Sequence, residues 1–323
     1  MSISLISKLK QRLFRTSAKP RLSLVVIIYS MPEQAKRTLY SLSTDYQRYV
    51  QQDEYEVIVV ENASNRPMGA AGIEGLAGNF RYFYRQETLP TPVFAVNFGA
   101  QQAQGDLFGI MIDGARMATP GIISNILQAS QISDKAIIGV PGYHLGEKVQ
   151  QEAINSGYNE DVEAELLRSI DWPSDGYKLF DIGCFSATSR PGFFQPIDET
   201  NCLVIPRPLW NQLGGIDERF TKSGGGLANL DLYKRACELI GSELITLPGE
   251  GTFHQFHGGA TTGQKKESRD KTMEEIFNQY IEIHGEKFTR SGRTAKLYGK
   301  IPENALPYME HSIKAAMKAG NKS

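Results

Sequence analysis

Residues 107–116 read LFGIMIDGAR, an apolar run that stops abruptly at the carboxylate of Asp113. A short apolar run bounded by a turn signal is typical of a strand buried in a sheet that is covered on both faces. In open α/β sheets, ligands bind beyond the carboxyl ends of the strands. The pattern therefore predicts a central strand whose terminal Asp113 meets a ligand, although the same carboxylate would also suit an ordinary turn.

The composition excludes several classes of protein. The 323 residues are enough for one large α/β domain or two small ones. A formal net charge of −1 gives no global basic field of the kind that binds nucleic acid. Cys184, Cys202 and Cys237 are widely spaced, which argues against a zinc site or a disulfide framework and indicates a reducing, cytoplasmic location.

The N-terminal segment, residues 1–21, has an unusual charge pattern. It carries six Lys and Arg residues and no acidic residue, and apolar side chains such as Leu9 and Leu13 recur at roughly helical spacing. Such a segment is either an amphipathic helix lying on an anionic membrane surface or a solvated tail. The first reading would make the protein peripheral on the inner face of a membrane.

Strand and helix patterns alternate after this segment. Strands are predicted at 24–29, 55–60, 80–84, 107–112 and 136–140, with helices between them. Ser30 is expected to cap the first helix, with Pro32 in its first turn. The alternation predicts an open, largely parallel sheet with crossover helices on its faces.

Three of the predicted strands end in polar groups, at Tyr29-Ser30, Glu61-Asn62 and Asp113. No GxGxxG follows the first strand, and no GxxxxGK[ST] occurs, so the common phosphate-binding loops are absent from the sequence. A carboxylate such as Glu61 could accept hydrogen bonds from a base or ribose, or it could end a turn. Three polar strand ends on one edge favour a binding site.

Several segments together resemble family 2 glycosyltransferases, which have the GT-A fold. The segments are SLVVIIYS (23–30), VIVVENAS (57–64), the run 97–105, LGGIDERF (213–220) and the run 224–235. Their order and spacing span about residues 22–259. The resemblance implies an open mixed α/β sheet flanked by helices, with a nucleotide-sugar-binding half at 22–142 and an acceptor half at 143–263. A helical C-terminal extension, 264–323, is predicted to pack on this domain or on a second subunit.

The resemblance also implies roles for individual residues. Donor binding is expected at Ile28, Tyr29, Ser30, Glu61, Asn97, Asp113, Gly114 and Arg116. Acceptor contacts are expected at Glu199, Asn201, Gly225 and Gly226. Catalysis falls on Asp113, Asn229 and Asp231, and a metal ion on Asp113 and His254.

Two departures from the family pattern bear on chemistry. Ala115 stands where the second Asp of the DxD motif is expected, so a Mn²⁺ or Mg²⁺ ion would rest on Asp113 and His254. Alternatively, Arg116 or Lys265 would stabilise the leaving diphosphate without metal. Asn229 replaces an expected carboxylate, which leaves Asp231 as the candidate base of an inverting mechanism or as a carboxylate that only complements its helix dipole.

The predicted function is transfer of a sugar from a UDP-, GDP- or dTDP-linked donor to a saccharide or other hydroxyl acceptor, in polysaccharide or glycoconjugate synthesis. A binding or scaffold protein that has lost catalysis is the first alternative, and Ala115 and Asn229 favour it. A nucleotidyltransferase is the second alternative, but residues 29–37 lack the glycines that its first loop would need. A homo-oligomer is compatible with the sequence.

Overall fold

A computed structural model describes residues 19–197, 201–258 and 266–320, with only the backbone at 266–269. The strands are β1 (Leu22–Ile28), β2 (Tyr55–Asn62), β3 (Phe80–Arg85), β4 (Leu107–Met111), β5 (Arg116–Ala118), β6 (Ala136–Val140), β7 (Gly142–Leu145), β8 (Gly183–Phe185), β9 (Cys202–Pro206), β10 (Glu243–Thr246), β11 (Thr252–His254) and β12 (Lys296–Leu297). The helices are α1 (Pro32–Ser41), α2 (Val93–Gln102), α3 (Ile122–Ala129), α4 (Gln150–Ala153), α5 (Glu160–Arg168), α6 (Arg207–Leu213), α7 (Ala228–Glu238), α8 (Lys266–His284) and α9 (Leu306–Gly320). Most of the basic N-terminal segment, Glu199 and Lys265 lie outside the described residues.

The main sheet has the strand order β12-β10-β6-β9-β4-β1-β2-β3. Neighbouring strands run parallel except at β9, which is antiparallel to both β4 and β6. The prediction of an open mixed sheet flanked by helices, with a helical C-terminal region, is confirmed. The C-terminal region also contributes β12, a parallel edge strand beside β10 that the sequence did not predict.

The apolar strands are buried on both faces, as their composition predicts. Side chains of β1 alternate between two cores: Leu24 and Val26 lie in one, and Val25 and Ile27 lie in the other. Helices α1 and α3 cover the first face, and α2, α6, α7 and α8 cover the second. The central strands therefore have little freedom, and their carboxyl ends form a rigid edge.

A second sheet has the strand order β5-β11-β7-β8, and its first strand, β5, follows β4 in the chain. Strand β11 pairs antiparallel with β5 and parallel with β7, which sets His254 opposite both Arg116 and His144. These strands are only three or four residues long. They bring distant parts of the chain next to Asp113.

The start of α1 differs from the prediction in one respect. Pro32 does occupy the first turn, but the residue at the cap position is Met31, and its side chain makes no capping hydrogen bond. Ser30 lies before the cap in a left-handed conformation, with φ of 56°. The prediction that Ser30 caps this helix is therefore wrong, because the chain makes a tight turn at Ser30 as it leaves β1. No helix within the described residues is long and apolar enough to cross a membrane.

Glu250 is a buried carboxylate that joins three parts of the fold. It accepts hydrogen bonds from the hydroxyl of Thr119, from Asn125 Nδ2 at 3.0 Å and from the hydroxyl of Tyr177 at 2.9 Å. Burial raises the pKa of Glu250 to about 7. Since the folded protein then binds a proton that the unfolded chain releases, stability is lost as the pH rises towards the folded pKa.

We expect Glu250→Gln to flatten the pH dependence of stability. Between pH 5 and pH 7 the native protein should lose about 2 kcal/mol of unfolding free energy through this one group. The variant should lack that component, because glutamine does not titrate. Urea unfolding of both proteins at the two pH values measures the difference, with the exposed Glu33→Gln as a control. Equal slopes for native protein and E250Q would contradict the assignment.

Candidate metal and donor site

Asp113 is held at the carboxyl edge of the main sheet by a tight turn. The backbone N–H of Gly114 donates to the carbonyl of Ile27 at 2.7 Å, which ties the end of β4 to the end of β1. A Cβ at position 114 would lie 2.6 Å from that carbonyl oxygen, so only glycine allows the approach. The backbone N–H of Ala115 donates to Asp113 Oδ1 at 3.0 Å. The carboxylate is thereby fixed where a ligand would meet the sheet.

Two histidines converge on the other oxygen of Asp113. His254 Nε2 lies 2.8 Å from Asp113 Oδ2, and His257 Nε2 lies 3.6 Å from it. The two ring nitrogens are 3.2 Å apart. One ligand atom from each of the three residues lies within 4.8 Å of the others, so the group can hold a metal ion. The sequence predicted Asp113 and His254 as metal ligands, with His257 as a second candidate histidine three residues on, and the structure brings all three together.

The protonation states suit a cation. Burial lowers the pKa of His254 to about 4, so its imidazole is neutral and keeps a lone pair. Burial raises the pKa of Asp113, but His257 and His254 outweigh it and hold that pKa well below its usual range. Burial lowers the pKa of His257, yet the neighbouring Asp113 carboxylate outweighs it and raises that pKa. A proton on His257 would have to leave before its ring nitrogen could bind a metal, so cation binding there would release a proton.

Ala115 and Arg116 explain the altered DxD motif. Ala115 is fully buried in the core between the main sheet and α1, where a carboxylate would have to be desolvated. Two imidazoles from the β11 region lie beside Asp113 and are candidate ligands in its place. Arg116 is also buried, with Nε 3.7 Å from Asp113 Oδ2, so its positive charge lies directly beside the three ligands.

Glu61 and Asn62, at the end of β2, are both buried but differ in their hydrogen bonding. Glu61 is fully buried, and its carboxylate accepts from the N–H groups of Met68 and Gly69 and from the hydroxyl of Tyr82. Asn62 is also buried, but its Oδ1 has no hydrogen-bond partner among the described residues. Buried acceptors are rarely left unpaired in proteins. The carboxylate of Glu61, expected to bind the sugar donor, is thus used in internal hydrogen bonds. The Oδ1 atom of its neighbour Asn62 is an acceptor without a partner in the described chain.

Asn62 lies opposite Arg85 in the register of β2 and β3. Arg85 Nε is likewise buried without a partner in the described part of the chain. Tyr29, at the end of β1, is 55% exposed and offers its ring to solvent. Sequence reasoning missed Asn62 because it favoured the neighbouring carboxylate, although the motif contained both residues.

The remaining donor and acceptor predictions fall on well-packed positions. Ile28 is fully buried, and Asn97 uses its amide to bind both the N–H and the carbonyl of Ile216. Asn201 is buried just before β9. Gly225 and Gly226 have φ of 84° and 55°, which non-glycine residues rarely adopt. They form the turn before α7, which carries Asn229.

Asp231 is buried in an ion pair. Its Oδ2 lies 2.7 Å from Arg235 Nε, and its Oδ1 lies 3.3 Å from His284 Nε2 on α8. Arg235 in turn donates to the carbonyls of Leu213 and Gly215. Because Oδ2 is held by Arg235 in this buried ion pair, the geometry favours a positioning role, in which Asp231 holds Arg235 and hence the turn after α6.

Comparison with known proteins decides the family. A sequence model of glycosyl transferase family 2 matches residues 23–193, which is more than half of the chain. The chain belongs to glycosyltransferase family 2. The resemblance noted from the sequence is therefore confirmed, and the family consists of enzymes of glycosyl transfer. No curated protein matches the sequence significantly.

Three solved structures of other glycosyltransferases share 10–15% sequence identity with this chain. Mannosyltransferase PcManGT from Pyrobaculum calidifontis, in complex with GDP-Man and Mn²⁺, shares 15% identity at a TM-score of 0.48, over 97% of this chain and 76% of that one. S. aureus TarS 1–349, in complex with UDP-GlcNAc, shares 10% identity at a TM-score of 0.49, over 81% and 66%. GalNAc-T7 with UDP, GalNAc and Mn²⁺ shares 13% identity at a TM-score of 0.46, over 73% of this chain and 43% of that one. Likeness at this level says nothing about the substrate of this chain.

Two variants separate the roles open to Asp231. Asp231→Asn and Arg235→Gln both break the same ion pair, but only the first removes the carboxylate. If Asp231 positions the turn, we expect each variant to lose about 1–3 kcal/mol of unfolding free energy. Turnover should then fall by a similar factor in D231N and in R235Q. If Asp231 were the general base, D231N should be about 10²–10⁴-fold slower than R235Q. Chemical unfolding and steady-state kinetics of the two proteins distinguish these results.

Proposed function

We propose that this family 2 enzyme transfers a sugar from a nucleoside diphosphate sugar to a hydroxyl acceptor, with a divalent cation held by Asp113, His254 and His257. The convergence of these three side chains at the ligand-binding edge of the sheet carries the proposal. The donor would be UDP-, GDP- or dTDP-linked, and the acceptor a saccharide or other glycoconjugate hydroxyl. The transfer would be inverting, as is usual in the family.

The proposal assigns a task to each group around the donor diphosphate. A cation bound there supplies positive charge against the charge that develops on the leaving diphosphate. Asp113, His254 and His257 hold it, and the buried Arg116 adds a second positive charge 3.7 Å from Asp113. Imidazole ligands suit Mn²⁺ better than Mg²⁺, which prefers oxygen. We therefore favour Mn²⁺ over the Mg²⁺ alternative.

We infer that Asn62, rather than Glu61, forms the hydrogen bonds that recognise the nucleotide base. The amide of Asn62 can both accept and donate, so it can pair with a base edge that presents a donor next to an acceptor. Its Oδ1 is buried and unpaired within the described chain, whereas Glu61 has three internal donors. Binding of a base would satisfy the acceptor that the fold leaves open.

A location at the inner face of a membrane is a further part of the proposal. Its support is the sequence of residues 1–21, where six basic residues alternate with apolar ones. Such a segment could bind anionic lipid and bring the enzyme to membrane-linked acceptors. Polysaccharide or glycoconjugate synthesis would fit that location, and self-association is compatible with it.

The alternative of an inactive binding protein rests on Ala115 and Asn229, which replace two expected carboxylates. The replacement at Ala115 is weaker support for this alternative, because His254 and His257 lie 2.8 and 3.6 Å from Asp113 Oδ2 and would supply other ligands. Asn229 still favours this alternative. Hydrolysis or transfer of any nucleotide sugar would exclude it.

Removing the metal ligands should abolish activity while leaving the fold intact. We expect His254→Ala and His257→Ala each to lower Mn²⁺-dependent turnover by about 10²-fold or more, since each removes one of three ligands. His311→Ala, which changes an exposed histidine of α9, is the control. A panel of nucleotide sugars is assayed with Mn²⁺, with Mg²⁺ and with EDTA. Full activity in EDTA would refute metal use and leave Arg116 and Lys265 as the source of positive charge.

Asn62 and Glu61 can be distinguished by nucleotide affinity. Asn62→Leu should weaken binding of the preferred nucleoside diphosphate by about 10-fold, the loss of roughly one hydrogen bond to a buried partner. Glu61→Gln should lower the melting temperature but leave the ranking among UDP, GDP and dTDP unchanged. Calorimetric titration of each nucleotide gives both results. A changed ranking in E61Q alone would return base recognition to Glu61.

A further inference from the structure

His257 reaches the candidate metal site from irregular chain. Strand β11 ends at His254, which is placed by its pairing with β5 and β7. His257 follows three residues later, outside any strand or helix, yet its side chain is only 13% exposed and its Nε2 lies 3.6 Å from Asp113 Oδ2. Its position therefore depends on what holds residues 255 and 256.

Gln255 is fully buried and fastens the chain after β11 to its surroundings. Its backbone N–H donates to the carbonyl of Ala115 at 2.8 Å. Its side-chain amide donates to the carbonyl of Gln34 at 3.0 Å and to Thr38 Oγ1 at 3.1 Å, both on α1. Its Oε1 accepts from Arg37 Nε, also on α1, at 2.6 Å. The chain just after β11 is thus fixed to α1.

The peptide groups on either side of Phe256 are held by side chains from two helices. The N–H of Phe256 donates to Glu163 Oε2, on α5, at 2.7 Å, and its carbonyl accepts from Gln34 Nε2, on α1, at 2.7 Å. Glu163 and Gln34 are 2% and 4% exposed. The hydroxyl of Tyr158 also donates to Glu163 Oε2, at 3.1 Å. The backbone that leads into His257 is therefore held from both sides.

The burial of Glu163 is costly unless its oxygens accept hydrogen bonds. A carboxylate forms a stronger hydrogen bond to a peptide N–H than a neutral oxygen does. No strand ladder fixes the backbone at Phe256, so the bonds from Glu163 and Gln34 control the direction in which the next side chain, that of His257, leaves the chain.

We propose that Glu163 and Gln34 are positioning residues: by fixing the peptide groups of Phe256, they keep His257 beside Asp113, so that the site offers two imidazoles rather than one. This inference rests on the proposed metal-dependent function. It deepens that function by assigning the placement of the second imidazole to two side chains that bond to the backbone. Groups that orient a metal ligand typically contribute about 10–100-fold to metal affinity.

Three variants test the consequence for metal binding, with Mn²⁺ alone as the probe and pulsed electron paramagnetic resonance as the readout. The wild-type protein should show two imidazole nitrogens bound to Mn²⁺, and His257→Ala provides the reference for one. Glu163→Met and Gln34→Met keep the length of the side chain but remove its polar end, so each should show one nitrogen and bind Mn²⁺ about 10-fold or more weakly. Glu163→Gln retains an accepting oxygen and should keep two nitrogens, with an affinity within about threefold of wild type.

Gln47→Met is the control for reduced stability. It removes another buried amide, one bonded to Ser41, Thr119 and Ile123, and should leave both the nitrogen count and the Mn²⁺ affinity unchanged. Two nitrogens in either E163M or Q34M would overturn the proposal, and so would a single nitrogen in Q47M. A single nitrogen in E163Q would overturn the role of the accepting oxygen. If E163M does not fold, Q34M decides, because it removes the second of the two contacts to Phe256.

The contact to the backbone can also be measured without metal. In EDTA-treated protein labelled with ¹⁵N-phenylalanine, Phe256→Leu identifies the amide signal of Phe256 among the 15 phenylalanines. This amide should exchange with solvent about 10-fold or more faster in E163M than in wild type or E163Q. Equal exchange in all three proteins would overturn the proposal, whatever the metal dependence of the enzyme. If wild-type protein binds no Mn²⁺ but E163M shows the faster exchange, the proposed metal centre fails while the hold on residues 255–257 stands.

Discussion

The pairing of β11 between β5 and β7 is the constraint on which the site depends. The chain leaves β4 at Met111 and enters β5 at Arg116, so Asp113 lies in the short turn between two sheets. The ladder places His254 directly across from Arg116. A carboxylate, two imidazoles and a guanidinium are thereby packed into one space. Without this ladder, Asp113 would be an ordinary residue at the end of a strand.

The same ladder changes how a metal would be held. In the sequence, Ala115 looks like the loss of a ligand, because an oxygen donor is missing from the DxD pattern. In the folded chain, position 115 belongs to the core beside α1, and the candidate ligands beside Asp113 are His254 and His257. Replacing oxygen by nitrogen ligands moves the expected preference from Mg²⁺ towards Mn²⁺. An altered motif is therefore compatible with a complete site.

Pairing of buried polar groups separates residues that hold the fold from residues that meet a ligand. Glu61, Asn97 and Asp231 have internal partners for their polar atoms, so removing them would leave buried groups unpaired and destabilise the protein. Asn62 Oδ1 has no partner in the described chain, although it is buried at the edge where ligands bind. An acceptor of this kind costs stability unless a ligand completes it, which is why we assign it to the donor.

The sequence by itself determined the alternation of strands and helices, the family and the place of Asp113, because apolar periodicity and motif order are local properties of a chain. It also pointed to His254 as a partner. Only the tertiary structure decided that His257 also lies within reach of Asp113, that β12 completes the sheet, and that Asn62 Oδ1 rather than Glu61 is left without a partner in the described part of the chain. These depend on strand register and on which polar atoms find partners across long separations in the chain. No spacing rule encodes such contacts, since they exist only once the backbone has been packed.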